Sequence, residues 1–220
     1  MIRSFPFPSG LHWIAACDAL RMWLAMALIG VAVWSGPAAA KPPADSRPVG
    51  SFYSNFQGAR LIDQDGRPFD AARLDGHIVL VNFIFTGCST VCPLQTRALA
   101  EVQRQLSPAL RSRVRLLSVS LDPLGDTPQA LKRFARYMEV DLSGWAFVTG
   151  RPQDIERISD ALRLYRPEKD VRKPDDHSTA LWLLDPQGSL RIRYNGSPPD
   201  VNRLVREIGA LDALLQAPKS

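Results

Sequence analysis

The stretch Ile78-Val-Leu-Val-Asn-Phe-Ile-Phe-Thr-Gly-Cys88-Ser-Thr-Val-Cys92-Pro93 carries most of the information about the fold. Residues 78–85 are a continuous apolar and β-branched run, which is typical of a strand buried on both faces of a sheet. Apolar residues then recur at helical spacing, at Leu94, Ala98 and Val102. The stretch therefore predicts a strand, a turn with two cysteines and a helix, in that order.

Strands and helices alternate through the rest of the chain. The predicted order is strand 114–121, a helix from Pro128 capped by Thr127, strand 145–148, a helix from Pro152, hairpin 180–194 and helix 201–211. Nearer the N-terminus, Asp65-Gly66 lies between apolar residues, which indicates a hairpin over 61–69, and Pro68 confines its second strand to a sheet edge. The sequence therefore predicts a three-layer α/β domain with a mixed central sheet and an N-terminal hairpin.

Composition and charge narrow the class of protein. The 220 residues are 45% hydrophobic and 22% charged, which is typical of an ordinary globular protein. The 27 basic residues exceed the 22 acidic residues, giving a formal charge of +5, and the two kinds are interspersed. Because the sequence has no block of basic residues, we expect no nucleic-acid partner.

Residues 1–40 have the pattern of a secretory signal peptide. Arg3 and Arg21 precede the apolar run 22–34, and three alanines at 38–40 supply a cleavage site. The alternative is an uncleaved anchor that associates the N-terminus with a membrane. Both interpretations predict a bacterial periplasmic location, with the protein either free or anchored to the inner membrane and facing the periplasm.

The remainder divides into a linker and one domain. Residues 41–50 contain three prolines and predict an extended linker, which leaves residues 51–220 for the folded domain. Cys17 lies in the leader, so the mature chain keeps only Cys88 and Cys92. In an oxidising compartment such a pair indicates either a disulfide or a metal site.

Cys88 and Cys92 lie four residues apart at the start of the predicted helix, a spacing that brings them to one face. We expect the helix N-terminus to lower the pKa of both thiols, and the thiolate is the form that binds metals or attacks disulfides. Two thiolates favour Cu(I), and an added imidazole would let the site hold Cu(II) as well. The spacing leaves open two alternatives, a structural disulfide and a pair of inert thiols.

One histidine is a candidate for the same site, and two aspartates in another turn call for a separate interpretation. His177 has a distinctive setting, Asp175-Asp176-His177-Ser178, directly before a predicted strand, although spacing alone fits a ligand and an ordinary histidine equally well. Asp126 is predicted to belong to the turn that starts a helix, and Asp122 to end the preceding strand. The alternative for Asp122 is a role in orienting copper ligands.

Three ordered segments resemble the Sco/SenC family of copper-binding proteins. They are Phe85-Thr-Gly-Cys88-Ser-Thr-Val-Cys92-Pro93, Ser118-Val-Ser-Leu-Asp122-Pro-Leu-Gly-Asp126-Thr-Pro128, and Asp176-His177-Ser178 followed by Asp185-Pro-Gln-Gly188. The resemblance implies a thioredoxin-like fold with copper, as Cu(I) or Cu(II), held by Cys88, Cys92 and His177. It also implies delivery of copper to the dinuclear copper centre of cytochrome c oxidase.

The family resemblance therefore predicts a metallochaperone. Its expected partners are the oxidase subunit that carries the dinuclear copper centre and a periplasmic thiol reductant or copper donor. The alternative is a thiol–disulfide oxidoreductase, which needs only the pair Cys88 and Cys92 and has no use for His177. Such reductants usually have a cis-proline facing the cysteines, whereas here the corresponding segment is Asp176-His177-Ser178. A peroxiredoxin-like peroxidase and a zinc site fit the residues less well.

Overall fold

The apolar run that follows residue 77 forms a strand in which every residue is buried. In the computed structural model, which describes residues 50–165, 173–195 and 197–217, this strand belongs to a seven-stranded sheet. The strands are β1 (Leu61–Asp63), β2 (Pro68–Phe69), β3 (Ile78–Ile84), β4 (Val114–Ser120), β5 (Trp145–Gly150), β6 (Leu181–Leu184) and β7 (Leu190–Tyr194). The helices are α1 (Val91–Gln105), α2 (Pro108–Arg111), α3 (Pro128–Tyr137), α4 (Pro152–Ala161) and α5 (Val201–Gln216), with short 3-10 helices at Phe52–Phe56, Ala71–Leu74 and Pro174–Asp176.

The sheet is mixed, with the order β2-β1-β5-β4-β3-β6-β7. β4 pairs in parallel with both β3 and β5, and the other neighbours pair antiparallel. Because β3 and β4 are parallel and in register from Ile78↔Val114 to Ile84↔Ser120, the segments that follow them leave the sheet at the same edge. Residues 85–90, here called the cysteine turn, and the Asp122–Asp126 turn are therefore neighbours in space.

Helices cover both faces of the sheet. One apolar cluster contains side chains of α1, α3 and α5, and the other contains side chains of α4 and two 3-10 helices. Side chains of β3 alternate between the two clusters, with Leu80 in the first and Val81 in the second. This arrangement confirms the predicted three-layer α/β domain with a mixed sheet.

The local signals at the hairpin and at α3 are also confirmed. Gly66 has φ +76° in the turn between β1 and β2, where a residue without Cβ is favoured, and Pro68 begins the two-residue edge strand β2. At the start of α3, the Thr127 hydroxyl accepts the Ala130 N–H at 3.2 Å, and Pro128 occupies the first turn.

The buried face of α1 includes polar residues that the apolar spacing does not indicate. Leu94, one of the apolar residues at helical spacing, is 45% exposed, and the neighbouring polar residue Gln95 is buried. The buried amides have partners: Gln95 bonds to Asn82, and Gln103 bonds to the Asp141 carbonyl.

The predicted leader at residues 1–40 and nearly all of the predicted linker at 41–50 lie outside the described residues. In the part of the chain that the structure describes, no helix combines the length and apolar character needed to cross a membrane. Cleavage after residue 40 and anchoring by the leader therefore stay predictions.

Truncating a side chain on the central strand tests this packing. Leu117 on β4 is 0% exposed, so we expect Leu117→Ala to lower the free energy of unfolding by about 2–5 kcal/mol. The matched control is Leu124→Ala, because Leu124 is 83% exposed, and it should cost about 0.5 kcal/mol or less. Urea unfolding followed by circular dichroism measures both, and equal losses would contradict the central position of β4.

Candidate metal centre

The two cysteines flank the N-terminus of α1. Cys88 lies in the turn before the helix, where its N–H donates to the Phe85 carbonyl at 3.2 Å, and Cys92 lies in the first helical turn. The N-cap residue Thr90 makes no side-chain capping bond. Instead, the Cys92 N–H donates to Cys88 Sγ at 3.4 Å, so the Cys88 sulfur satisfies one of the free N–H groups of the helix end.

This position favours the ionised form of Cys88. Burial opposes ionisation and is the largest single contribution, but hydrogen bonds to the sulfur from the N–H groups of Cys92, Thr90 and Val91 and from the Cys92 thiol together outweigh it. The pKa of the Cys88 thiol is therefore lower than that of an ordinary cysteine, as the sequence predicted.

The prediction for Cys92 is wrong. Its side chain points into the core, and this burial raises the pKa of the Cys92 thiol to about 12 despite a hydrogen bond from the Phe85 backbone. The nearby Cys88 sulfur and the Asp126 carboxylate add to the increase. Both cysteines are free, so the pair consists of a half-buried thiol that ionises readily and a buried thiol that keeps its proton.

Asp126 is a buried carboxylate under the cysteine turn. Its two oxygens accept the Thr86 N–H at 3.1 Å each, and they also accept the Thr86 and Ser120 hydroxyls. Desolvation dominates and raises the pKa of Asp126, although these four bonds favour the charged form. The prediction that Asp126 belongs to a helix-start turn is therefore incomplete, because the carboxylate holds the residue two positions before Cys88.

The hydrogen bonds of Asp122 stay within its own turn. Its side chain accepts the Gly125 N–H at 3.0 Å, and its N–H donates to the Ser120 hydroxyl at 3.0 Å. These bonds agree with the prediction of a residue at the end of a strand. A role in orienting copper ligands stays a prediction.

His177 lies after the 3-10 helix at residues 174–176, against the C-terminal end of β3. Its Nδ1 is hydrogen-bonded to the Pro174 carbonyl, and its Nε2 lies 3.1 Å from the Phe83 carbonyl oxygen. The imidazole also meets the Phe85 ring edge-on, with the ring centroids 6.3 Å apart. Since Phe85 accepts the Cys88 N–H, the histidine and the cysteine turn share the Phe83–Phe85 segment as their support.

The structure brings the two cysteines together but does not complete a three-ligand site. Within residues 50–165, 173–195 and 197–217, no group of three metal-ligating side chains is already assembled. Both ring nitrogens of His177 lie against backbone carbonyls, and a neutral imidazole can donate to only one of them, so Nε2 must leave the Phe83 carbonyl and present its lone pair before it can bind a metal. The thiol pair suits a soft metal such as Cu(I), and the assignment of His177 as third ligand stays a prediction.

A groove gives access to Cys88. It has a volume of about 440 Å³ and is lined by residues of the cysteine turn, α1 and α3, including Pro93, Leu94 and Tyr137. Tyr137 is exposed. A larger cavity of about 660 Å³ lies between the first two 3-10 helices, and neither cysteine nor His177 lines it. The smaller groove is therefore the one through which other molecules can reach Cys88.

Gln95 is a further residue near the site that no sequence pattern singles out. This buried glutamine lies one turn after Cys92 and donates from Nε2 to the Thr179 carbonyl at 2.8 Å, two residues after His177. A polar residue at a position that faces the core could have drawn attention to it, but its neighbours in sequence do not reveal its partners. It connects the helix of the cysteines with the loop of the histidine.

Comparisons with known proteins agree on one family. The family described as SCO1/SenC matches residues 46–211. A SCO1 protein homolog of Bacillus subtilis is 35% identical over 140 residues, which cover 61% of this chain and 70% of that protein.

Two solved structures share the fold. BsSco, described as a member of the Sco family of cytochrome c oxidase assembly proteins with a disulfide switch, is 29% identical with a TM-score of 0.58, covering 70% of this chain and 91% of that one. Copper-bound ScoI of Bradyrhizobium japonicum is 24% identical with a TM-score of 0.58, covering 70% and 96%. The second likeness concerns the fold alone.

The unequal thiols predict unequal alkylation rates. In the reduced chain at neutral pH, iodoacetamide should modify Cys88 well before Cys92, because the lowered pKa gives Cys88 more thiolate and burial protects Cys92. As the pH rises toward the ordinary cysteine range, the rate at Cys88 should level off at a lower pH than for an unperturbed thiol. Mass spectrometry of the alkylated peptides separates the two sites, and equal rates or earlier labelling of Cys92 would contradict the assignment.

Proposed function

The chain belongs to the SCO1/SenC family, and on this premise we propose that it is a periplasmic copper chaperone that delivers copper to the dinuclear copper centre of cytochrome c oxidase. Copper is its cargo, bound by Cys88 and Cys92 with His177 as the third ligand. Its thioredoxin-like fold is the one that the solved Sco structures share.

The observation that carries the proposal is the pair of free thiols at the N-terminus of α1. Cys88 is readily ionised and half-buried, so it can meet copper first. Cys92 is buried directly behind it, and copper binding there requires loss of the thiol proton. Two thiolates form a soft ligand set for Cu(I).

The hydrogen bond of His177 to the Pro174 carbonyl supports its role as a ligand. Metal-binding histidines commonly donate one ring N–H to a backbone carbonyl, which fixes the tautomer and leaves the other nitrogen for the metal. With Nδ1 donating to Pro174, Nε2 is the nitrogen for copper. The imidazole has to exchange the Phe83 carbonyl for the metal, and nitrogen ligation serves Cu(II) better than Cu(I).

The proposed partners follow from the same chemistry. The copper acceptor is the oxidase subunit with the dinuclear copper centre, in agreement with the description of BsSco as an oxidase assembly protein. The leader pattern at residues 1–40 supports the periplasm, either free or anchored to the inner membrane. In that compartment the thiols need a reductant, so a thiol reductant or a copper donor is the second partner.

A thiol–disulfide oxidoreductase is the second candidate function, and the opposite pKa shifts of Cys88 and Cys92 favour it. In this reaction the Cys88 thiolate attacks a target disulfide, forms a mixed disulfide and releases one target thiolate. Cys92 then loses its proton and attacks Cys88, which releases the second target thiolate. Two electrons reach the target, and the chain is left with a Cys88–Cys92 disulfide.

Copper uptake should depend on the redox state of the thiols. We expect the reduced chain, with Cys17→Ser as background, to bind one Cu(I), and the same chain with Cys88 and Cys92 oxidised to a disulfide to bind far less. Titration against a chromophoric Cu(I) chelator measures both forms, and Cys88→Ser with Cys92→Ser is the control. Equal binding by the oxidised form would contradict cysteine ligation.

His177→Ala should separate the two oxidation states of copper. Loss of the imidazole should weaken Cu(II) binding by about tenfold or more and change Cu(I) binding by less than about threefold. The control is His77→Ala, because the His77 ring bonds to the Asp75 carbonyl in an exposed turn. Parallel Cu(I) and Cu(II) competition titrations give the result, and an equal effect on both ions would argue against His177 as the third ligand.

A further inference from the structure

A series of hydrogen-bonded, buried polar side chains runs from the centre of the sheet to residues 177–180, here called the histidine loop. Trp145 Nε1 donates to the Ser118 hydroxyl at 2.9 Å, and that hydroxyl donates to Asn82 Oδ1 at 2.7 Å. Asn82 Nδ2 donates to Gln95 Oε1 at 2.8 Å, and Gln95 Nε2 donates to the Thr179 carbonyl at 2.8 Å. These hydrogen bonds therefore connect β5, β4, β3 and α1 to the histidine loop.

The direction of each of these bonds is fixed by the last member, the Thr179 carbonyl. A main-chain carbonyl only accepts, so Gln95 must donate to it with the NH₂ group, and the Gln95 oxygen is left to accept from Asn82. Asn82 therefore uses its NH₂ group on Gln95, and its Oδ1 accepts the hydrogen of the Ser118 hydroxyl. The Ser118 oxygen in turn accepts the indole N–H of Trp145, which is a donor only. The orientation of the Gln95 amide is thus set by the Thr179 carbonyl and matched by residues on three strands.

The hydrogen bond from Gln95 to the Thr179 carbonyl holds a part of the histidine loop that does not pair with a strand. β6 pairs with β3 from Leu181 onward, with Asn82 opposite Leu181, so residues 177–180 precede the ladder. The loop is also held by the Ser178 N–H, which donates to the Leu164 carbonyl at 2.7 Å. Among the described residues, Gln95 is the one side chain of α1 that hydrogen-bonds to residues 177–180.

We propose that Gln95 is a positioning residue that fixes the backbone of the His177 loop relative to the helix start that carries both thiols. With Thr179 held to α1, the backbone of the His177 loop keeps its place beside the helix start when the imidazole leaves the Phe83 carbonyl to bind copper. This inference rests on the proposed function, because it assigns Gln95 an effect on the third copper ligand.

The variant Gln95→Met removes both polar atoms while keeping the length and helix propensity of the side chain. We expect it to weaken Cu(II) binding about tenfold or more, as loss of a residue that orients a metal ligand does, and to change Cu(I) binding by less than about threefold. Measurements use the full chain with Cys17→Ser as background.

Gln103→Met is a matched control for this variant. Gln103 lies on the same helix, is 3% exposed against 2% for Gln95, and donates to the Asp141 carbonyl at 2.9 Å. It has the same kind of bond but no link to the histidine loop. Gln103→Met should therefore leave both Cu(I) and Cu(II) binding unchanged, and thermal melting of both variants shows whether their losses of stability are comparable.

A double variant tests whether Gln95 acts through His177. In the His177→Ala background, Gln95→Met should cause no further loss of Cu(II) affinity. Additive losses would overturn the inference, as would equal weakening of Cu(I) and Cu(II) by Gln95→Met alone, or an unchanged affinity for Cu(II).

Hydrogen exchange separates a failure of this inference from a failure of the proposed function. In the metal-free chain, Gln95→Met should speed amide exchange at residues 177–180, and Gln103→Met should not. If the unsubstituted chain binds no copper, the proposed function fails. Amide hydrogen exchange then tests by itself whether Gln95 holds residues 177–180. Faster exchange in Gln95→Met supports it, and unchanged exchange overturns it.

Discussion

The turn that presents the thiols depends on the buried carboxylate of Asp126. Thr86 lies in the turn between β3 and α1, where neither the strand nor the helix satisfies its backbone, and the Asp126 oxygens take its main-chain and side-chain donors. The same carboxylate binds Ser120 at the end of β4, so it connects the two parallel strands where they leave the sheet. Burying a charge is costly unless donors surround it, and the donors found here are the residues that need to be fixed. The position of Cys88 therefore depends on a residue far from it in sequence.

The strand, turn and helix around the cysteines could be predicted from sequence, because burial on both faces and helical spacing are local patterns. The thiol pair was found for the same reason. The buried face of α1 and the pKa of Cys92 could not be predicted, because both depend on tertiary packing. Leu94 lies at the expected apolar spacing and yet faces solvent, since α1 turns Gln95 toward partners supplied by other elements. The lowered pKa of Cys88 follows from the helix end, which the sequence reveals, but the raised pKa of Cys92 follows from burial, which it does not.

The thiol pair and His177 are held in different ways. Cys88 and Cys92 lie at the start of α1, where the Cys92 N–H donates to the Cys88 sulfur. His177 is held by main-chain carbonyls of two other segments, with Nδ1 at Pro174 and Nε2 at Phe83. Of the three proposed ligands, His177 is therefore the one that must give up a main-chain contact to bind copper.

The two edges of the sheet are both poor templates for another strand. β2 has only two residues and begins with Pro68, which has no N–H to donate. At the opposite edge, β7 carries Arg191 and Arg193, whose guanidinium groups are held by the Asp185 carboxylate and over the Trp182 ring. Short length, proline and charge are the features that keep sheet edges from joining in aggregates. The chain can therefore keep its thiol end open to other molecules without exposing its sheet to polymerisation.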